Sequence, residues 1–175
     1  MKIIRATAVA LLVLSCAPGW AAAPRLHTTK TITIDASAGK VWSAVKDFDR
    51  LNTWHPAVVK DEIVEGKADR VGAVRLLTLK DGGTIKEKLL AHDSAKRTFK
   101  YSVLEGVLPV SGYTSTFSVK STGKNKSSAT WSGSYKRKNT AENPGAKEDD
   151  NTATDTVAAV YQAGLDNLKK LVEAK

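Results

Sequence analysis

Thiols are almost missing: the single cysteine, Cys16, lies close to the start of the chain. Once a leader containing it is removed, disulfides, thiolate metal sites and cysteine nucleophiles are excluded. Histidine is nearly as scarce. His27, His55 and His92 stand far apart without ligand spacing, so a histidine-built metal centre has no support. No glycine-rich loop links a strand to a helix, which removes the usual phosphate cradle, and no cofactor signature stands out. A Ser-His-Asp nucleophile has no local motif behind it. Beyond the first residues no apolar run is long enough to span a bilayer. Acidic residues are also under-represented, 18 against 27 lysines and arginines.

What is present begins with that leader. Lys2 and Arg5 precede the apolar run Ala8 to Leu14, and the small residues Ala21, Ala22 and Ala23 follow. This is the pattern of a secretory signal peptide over residues 1–23, and it predicts an exported, periplasmic chain. Val13-Leu14-Ser15-Cys16 offers a minor alternative, a lipoprotein anchored through Cys16. Residues 24–175 are enough for one domain that buries roughly two-thirds of its surface. The leader carries two basic residues and no acid, so its removal lowers the formal charge from +9 to +7. A basic exported protein suits an acidic partner or an anionic surface. Nucleic-acid binding has only net charge in its favour, and export argues against it.

The longest periodic stretch is the last one. From Thr152 to Ala174, Val157, Val160, Tyr161, Gly164, Leu165, Leu168, Leu171 and Val172 recur at three- and four-residue steps, the mark of an amphipathic helix. Gly164 interrupts its apolar stripe and is either a close approach to a sheet or a gap left for a ligand. Upstream, Thr29 to Ile34 alternates as a first strand. Ser37 caps a helix carrying Val41, Trp42, Ala44, Val45 and Phe48, and Asp49 caps a second short helix carrying Leu51 and Trp54, stopped at His55-Pro56. Six further strands follow: Val58 to Glu65, Val71 to Leu79, Thr84 to Ala91, Phe99 to Leu104, Gly112 to Val119 and Ser127 to Lys136. The expected fold class is α+β: a seven-stranded curved antiparallel sheet wrapped around one long C-terminal helix, with two short helices after strand one.

The period of two sorts the strand residues into faces. Arg75, Glu87, Tyr101 and Tyr113 fall in phase with the apolar side chains and should form a polar row on the inner face, under the long helix. A hairpin closed by Lys80 and Thr84 sets Leu77 opposite Glu87, with Arg75 one diagonal step away; a turn centred near Ala95 sets Glu87 diagonal to Tyr101. An inward Arg75 and Glu87 should pair, with tyrosine hydroxyls satisfying the spare lone pairs. The row is either a satisfied internal ion pair or a ligand site in an apolar cavity. Candidate lining residues are Arg75, Glu87, Tyr101, Tyr113, Trp54, Leu108, Phe117, Trp131, Tyr161 and Gly164. The loop Glu105 to Ser111 reads as a lid or as ordinary packing. His92 lies out of phase with Glu87 and should face solvent.

The order strand, two short helices, six strands, long helix resembles the helix-grip superfamily of START domains, birch-pollen-allergen-like proteins and polyketide cyclase/dehydrase-like proteins (SRPBCC). The resemblance covers about Lys30 to Leu171 and is carried by Val41-Trp42-Ser43, Phe48-Asp49-Arg50-Leu51 with Trp54-His55-Pro56, Gly72-Ala73-Val74-Arg75, Glu87-Lys88-Leu89 and Leu108-Pro109-Val110-Ser111-Gly112-Tyr113. It implies a small apolar or amphipathic ligand held between helix and sheet. Arg75, Glu87, Tyr101 and Tyr113 also resemble the active-site arginine, glutamate and tyrosines of the plant lachrymatory-factor synthases, which implies an alternative: a cofactor-independent cyclase, isomerase or dehydratase with Glu87 as general acid/base. The leader and basic charge are similar to a periplasmic branch that includes an accessory protein of bacterial methanol oxidation. That likeness implies an acidic periplasmic redox partner, a cytochrome or a dehydrogenase. The expected function is non-enzymatic ligand binding or accessory work, without a cofactor or metal.

Overall fold

The computed structural model describes residues 24–174. The leader and Cys16 lie outside the described residues. Seven strands form one antiparallel sheet: β1 (Leu26–Ile34), β2 (Val58–Glu65), β3 (Val74–Leu79), β4 (Thr84–Asp93), β5 (Thr98–Gly106), β6 (Val110–Gly123) and β7 (Lys126–Arg137). Their order is β1-β7-β6-β5-β4-β3-β2, so β2 to β7 run as a meander and β1 closes onto β7. Helix α1 (Ala38–Val45) and a single 3-10 turn (Leu51–Thr53) carry the chain from β1 to the far edge at β2. Helix α2 (Asp150–Glu173) crosses the inner face.

Each element follows from its sequence. Ser37 accepts a bond from the Lys40 amide and caps α1, which buries Ala38, Val41, Trp42 and Val45. In β7 the burial alternates residue by residue, with Ala129, Trp131, Gly133 and Tyr135 inside and hydroxyl residues outside. Helix α2 begins at Asp150 because Asp149 accepts from the Thr152 amide at 2.7 Å. Its buried stripe is Ala153, Val157, Tyr161, Gly164, Leu165, Leu168 and Val172. Leu171, expected on that stripe, is instead 39% exposed, one step beyond the edge of the contact.

Three expectations need correction here. The second short helix is only the 3-10 turn: Arg50 precedes it without a side-chain cap, and the Leu51 amide is taken by Asp61 from β2 at 2.9 Å, not by Asp49. Strand β3 starts at Val74, because Gly72 sits at φ +95 and turns the chain just before it. The β3–β4 register is also shifted by two residues from the expected one, with Thr78 rather than Lys80 opposite Thr84, so Arg75 lies directly opposite Glu87 and Leu77 opposite Ile85.

Candidate functional site

Arg75, Glu87, Tyr101 and Tyr113 all come to the buried face of the sheet, none more than 5% exposed. Glu87 is diagonal to Tyr101, through the pairs Glu87–Val103 and Leu89–Tyr101, as the turn near Ala95 required. They do not form one hydrogen-bonded row. Two separate clusters result.

The first is ionic. Nε of Arg75 donates to Oε2 of Glu87 at 2.8 Å, and Nη2 stands at ion-pair distance, 2.6 Å, from the same oxygen. Nη1 reaches the Phe48 carbonyl and, at 3.3 Å, Oδ2 of Asp61. The guanidinium carbon lies 4.1 Å from the centre of the Phe48 ring, a cation–π contact. Asp61 was not foreseen, although its phase with Ile63 on β2 points it inward. Its side chain is fully buried, and its Oδ1 has no hydrogen-bond partner among the described residues. Burial pushes both carboxyls above their ordinary range, with Arg75 opposing the shift in each case. For Arg75 burial works against the charge, but Glu87 and Asp61 outweigh it and hold the guanidinium protonated.

The second cluster is a chain of hydroxyls. Ser115 donates to the Ser132 carbonyl at 2.8 Å, so its single proton is spent and its oxygen accepts from Tyr161 at 2.9 Å. Tyr161 in turn accepts from Tyr113 at 2.5 Å. Tyr101 accepts from the indole of Trp131 at 2.9 Å. The expected tyrosine bonds to the carboxylates are therefore absent among the described residues: the phenols satisfy one another and the indole. Burial, foremost, raises the titration of all three tyrosines, and they stay neutral.

The expected interior cavity is filled by rings. Trp131 stacks on Tyr161 at 4.6 Å between centroids, and Trp54 lies 5.5 Å from both Trp131 and Phe117. Gly164 marks a close approach and leaves no gap. A Cβ there would fall 2.6 Å from Cδ2 of His55 and 2.9 Å from Cζ3 of Trp131. Gly164→Ala gains about 1 kcal/mol of helix propensity but overpacks two ring systems, and a net destabilisation of about 1–2 kcal/mol is expected in urea unfolding. Leu108 is partly buried against the core, the packing alternative for its loop. His55 is structural: Nε2 donates to the Val160 carbonyl at 3.0 Å, Nδ1 accepts from the Ala57 amide, and burial lowers its pKa. His92 does not face solvent. A bulge between Leu89 and Ala91 shifts the phase of β4, and the half-buried ring bonds the Lys46 carbonyl and packs on Trp42.

Open space lies elsewhere. A groove of about 490 Å3 runs outside the sheet, between α1, the turn at Arg50–Trp54 and the C-terminal part of α2. Of the candidate lining residues Trp54 alone reaches it. A hollow of about 230 Å3 on the outer sheet face is lined by hydroxyls together with His27 and Lys100. Among the described residues no group of His, Asp and Glu is placed to hold a metal ion, and no helix is long and apolar enough to cross a membrane.

Sheet, gripping helix and inward polar clusters define a helix-grip protein. The family described as polyketide cyclase / dehydrase and lipid transport matches residues 25–173, and the chain belongs to it. An uncharacterised protein of Bacillus thuringiensis is 31% identical, with a TM-score of 0.73 over 84% of this chain and 98% of that one. The protein XoxI of Bacillus cereus is also 31% identical, with a TM-score of 0.73 over 83% and 94% of the two chains. The Zhui aromatase/cyclase of Streptomyces sp. R1128 shares the fold at 19% identity, with a TM-score of 0.69 over 86% and 94%.

Proposed function

We propose that the chain is an exported, periplasmic binding protein without catalytic activity, which takes a small apolar or amphipathic ligand and acts as an accessory factor. The observation that carries this reading is the closure of the inner clusters. Arg75 spends its donors on Glu87, Asp61 and Phe48, Tyr113, Tyr161 and Ser115 bond in sequence, and rings pack beside them among the described residues. The partner in this reading is an acidic redox protein, a cytochrome or a dehydrogenase, met in the manner of the methanol-oxidation protein MxaD. Exposed Lys88, Lys124 and Lys138 give the outer surface its sign, whereas Lys86, Lys126 and Arg137 are partly offset by Glu65, Asp35 and Asp150.

The test is retention on the immobilised protein at two ionic strengths. An acidic cytochrome or dehydrogenase is expected to bind at about 0.01 M salt and to elute at about 1 M, where the screening length drops from roughly 30 to 3 Å. Retention indifferent to salt, or of no redox protein, would refute the accessory role. The second reading is an enzyme using Glu87 as general acid/base. It is favoured by one observation: no donor reaches Oε1 of Glu87 among the described residues, and burial raises its pKa towards the working range of a proton donor. Glu87→Gln separates the two. Ligand binding is expected to survive it unchanged, and loss of turnover of a bound compound would establish the enzyme instead.

A further inference from the structure

We propose that the outer groove is the binding site for a single-chain amphipathic anion, with its carboxylate on Arg50 and its apolar chain over Leu171 and Ala44, above the buried Trp54 and Leu168. The proposal rests on the ligand-binding reading above and moves the ligand from the interior to the outside of the α1–α2 contact.

The groove is made by two helix faces and a corner. Lys40, Ser43 and Ala44 stand at i, i+3 and i+4 on one side of α1, and Asp47 follows just beyond its C-terminal end. Leu168, Leu171 and Val172 do the same on α2. A volume of about 490 Å3 falls within the ~300–1,000 Å3 of small-molecule pockets. Its floor is apolar and closed, because Trp54, Leu168 and Val172 are buried. Leu171 stands over that floor with 39% of its surface in water. One exposed leucine means little by itself. Beside a preformed apolar hollow, it supplies surface that a hydrocarbon chain would cover.

Charge sets the sign of the ligand. Arg50 and Lys40 lie on the rim, and neither has a carboxylate within ion-pair distance among the described residues. The acid in the lining, Asp47, is already held by Lys46 at 2.7 Å. A guanidinium presents a planar fork that matches a carboxylate, which places the head group at Arg50 rather than at Lys40.

The wall that carries Arg50 is fixed in advance. On its N-terminal side the Phe48 amide donates to Asp69 at 2.7 Å and the Phe48 carbonyl accepts from Arg75. On its C-terminal side the Leu51 amide donates to Asp61 at 2.9 Å, and the Thr53 hydroxyl donates back to the Arg50 carbonyl at 2.7 Å. Side chains from distant parts of the fold therefore bracket Arg50, and little ordering cost remains to be met on binding. Asp61 and Arg75, which have no evident chemistry of their own, become positioning residues for the groove.

The experiment is titration of the exported chain with monomeric dodecanoate and, in parallel, dodecanol, followed by calorimetry and by amide shifts in heteronuclear NMR. Dodecanoate is expected to bind and to shift amides in Lys40–Trp54 and Leu168–Val172. Arg50→Glu should weaken it about tenfold or more, Lys40→Glu by only about threefold, and dodecanol should bind about tenfold more weakly than the acid. Lys96→Gln, on the exposed β4–β5 turn, should leave binding unaltered, and because Arg50 is exposed its variant is expected to keep the native amide spectrum. Shifts centred on Tyr101, Tyr113 and Trp131, with Arg50→Glu silent, would overturn the groove and leave the binding reading intact. Absence of dodecanoate binding would overturn it too. Native mass spectrometry of the protein purified from its source, showing a bound small molecule or none, then decides separately whether the binding reading also falls.

Discussion

Arg75→Met is expected to lower the free energy of unfolding by about 3–5 kcal/mol, because it leaves two buried carboxyls without their common partner. Glu87 would lose its hydrogen bond and ion pair with the guanidinium, Asp61 its one cation among the described residues and the Phe48 carbonyl its donor. The loss should depend on pH with a definite sign. Both carboxyls titrate above their ordinary values of 3.8 and 4.5 in the folded protein, and removing Arg75 takes away the charge that opposed the shift. Between the ordinary and the raised value the folded state holds more protons than the unfolded state, so stability falls as pH rises. Their favourable contribution is complete below the ordinary carboxyl values and is lost as pH climbs through the raised ones. Arg75→Met should therefore be least stable near neutrality and recover part of its loss on mild acidification, relative to the parent protein. The surface acids Asp93, Asp149 and Glu173 titrate lower than usual and pull the other way, but they are common to both proteins and cancel in the difference. Urea midpoints of parent and variant across the acid range make the comparison. A difference below about 1 kcal/mol, or one that grows on acidification, would show that the triad is not buried as described. Arg75→Met combined with Glu87→Leu should regain stability over Arg75→Met alone, since an apolar pair carries no desolvation cost.

The same residues show what could be read in the sequence and what could not. Inward placement of Arg75, Glu87, Tyr101 and Tyr113 was legible, because side chains alternate strictly and a neighbouring leucine or phenylalanine fixes the phase. The partner of Glu87 was legible only approximately. The β3–β4 turn contains two consecutive glycines, which permit more than one closure, and the one that sets Thr78 opposite Thr84 puts Arg75 face to face with Glu87. His92 was misplaced for a related reason: one bulged residue in β4 reverses the phase beyond it, and bulges leave no periodic trace. Asp61 escaped because a single aspartate on an edge strand looks like any solvated acid until the arginine on the next strand is seen beneath it. The cavity was expected from strand phase, the helix stripe and the family's order of elements, since a polar row amid apolar residues suggests a pocket. Whether rings fill such a space depends on side-chain volumes meeting across the sheet and α2, a three-dimensional sum that strand phase does not contain.

That filling is tight enough at one point to give the second large effect: Gly133→Ala is expected to cost about 3 kcal/mol, an unusual penalty for adding one methyl group. Gly133 lies on β7 between Ser115 of β6 and Thr28 of β1, with its missing side chain directed inward. A Cβ built there would lie 2.2 Å from the Tyr161 hydroxyl oxygen. Tyr161 cannot simply swing aside. Its ring stacks on Trp131 within 10° of parallel, and its hydroxyl links Tyr113 to Ser115. Displacing it breaks two buried bonds worth about 0.5–1.5 kcal/mol each and adds overpacking strain of about 1–3 kcal/mol, against a gain of under 1 kcal/mol from stiffening the unfolded chain. The clash belongs to the hydroxyl alone, because Cζ of Tyr161 would stand 3.4 Å from the new Cβ, an ordinary contact. Tyr161→Phe should therefore rescue Gly133→Ala although it is destabilising by itself. A double-mutant cycle in urea is expected to show favourable coupling of at least about 1 kcal/mol. Additive losses would mean that Tyr161 does not press on Gly133, and the account of a ring-filled interior would fail at its tightest contact.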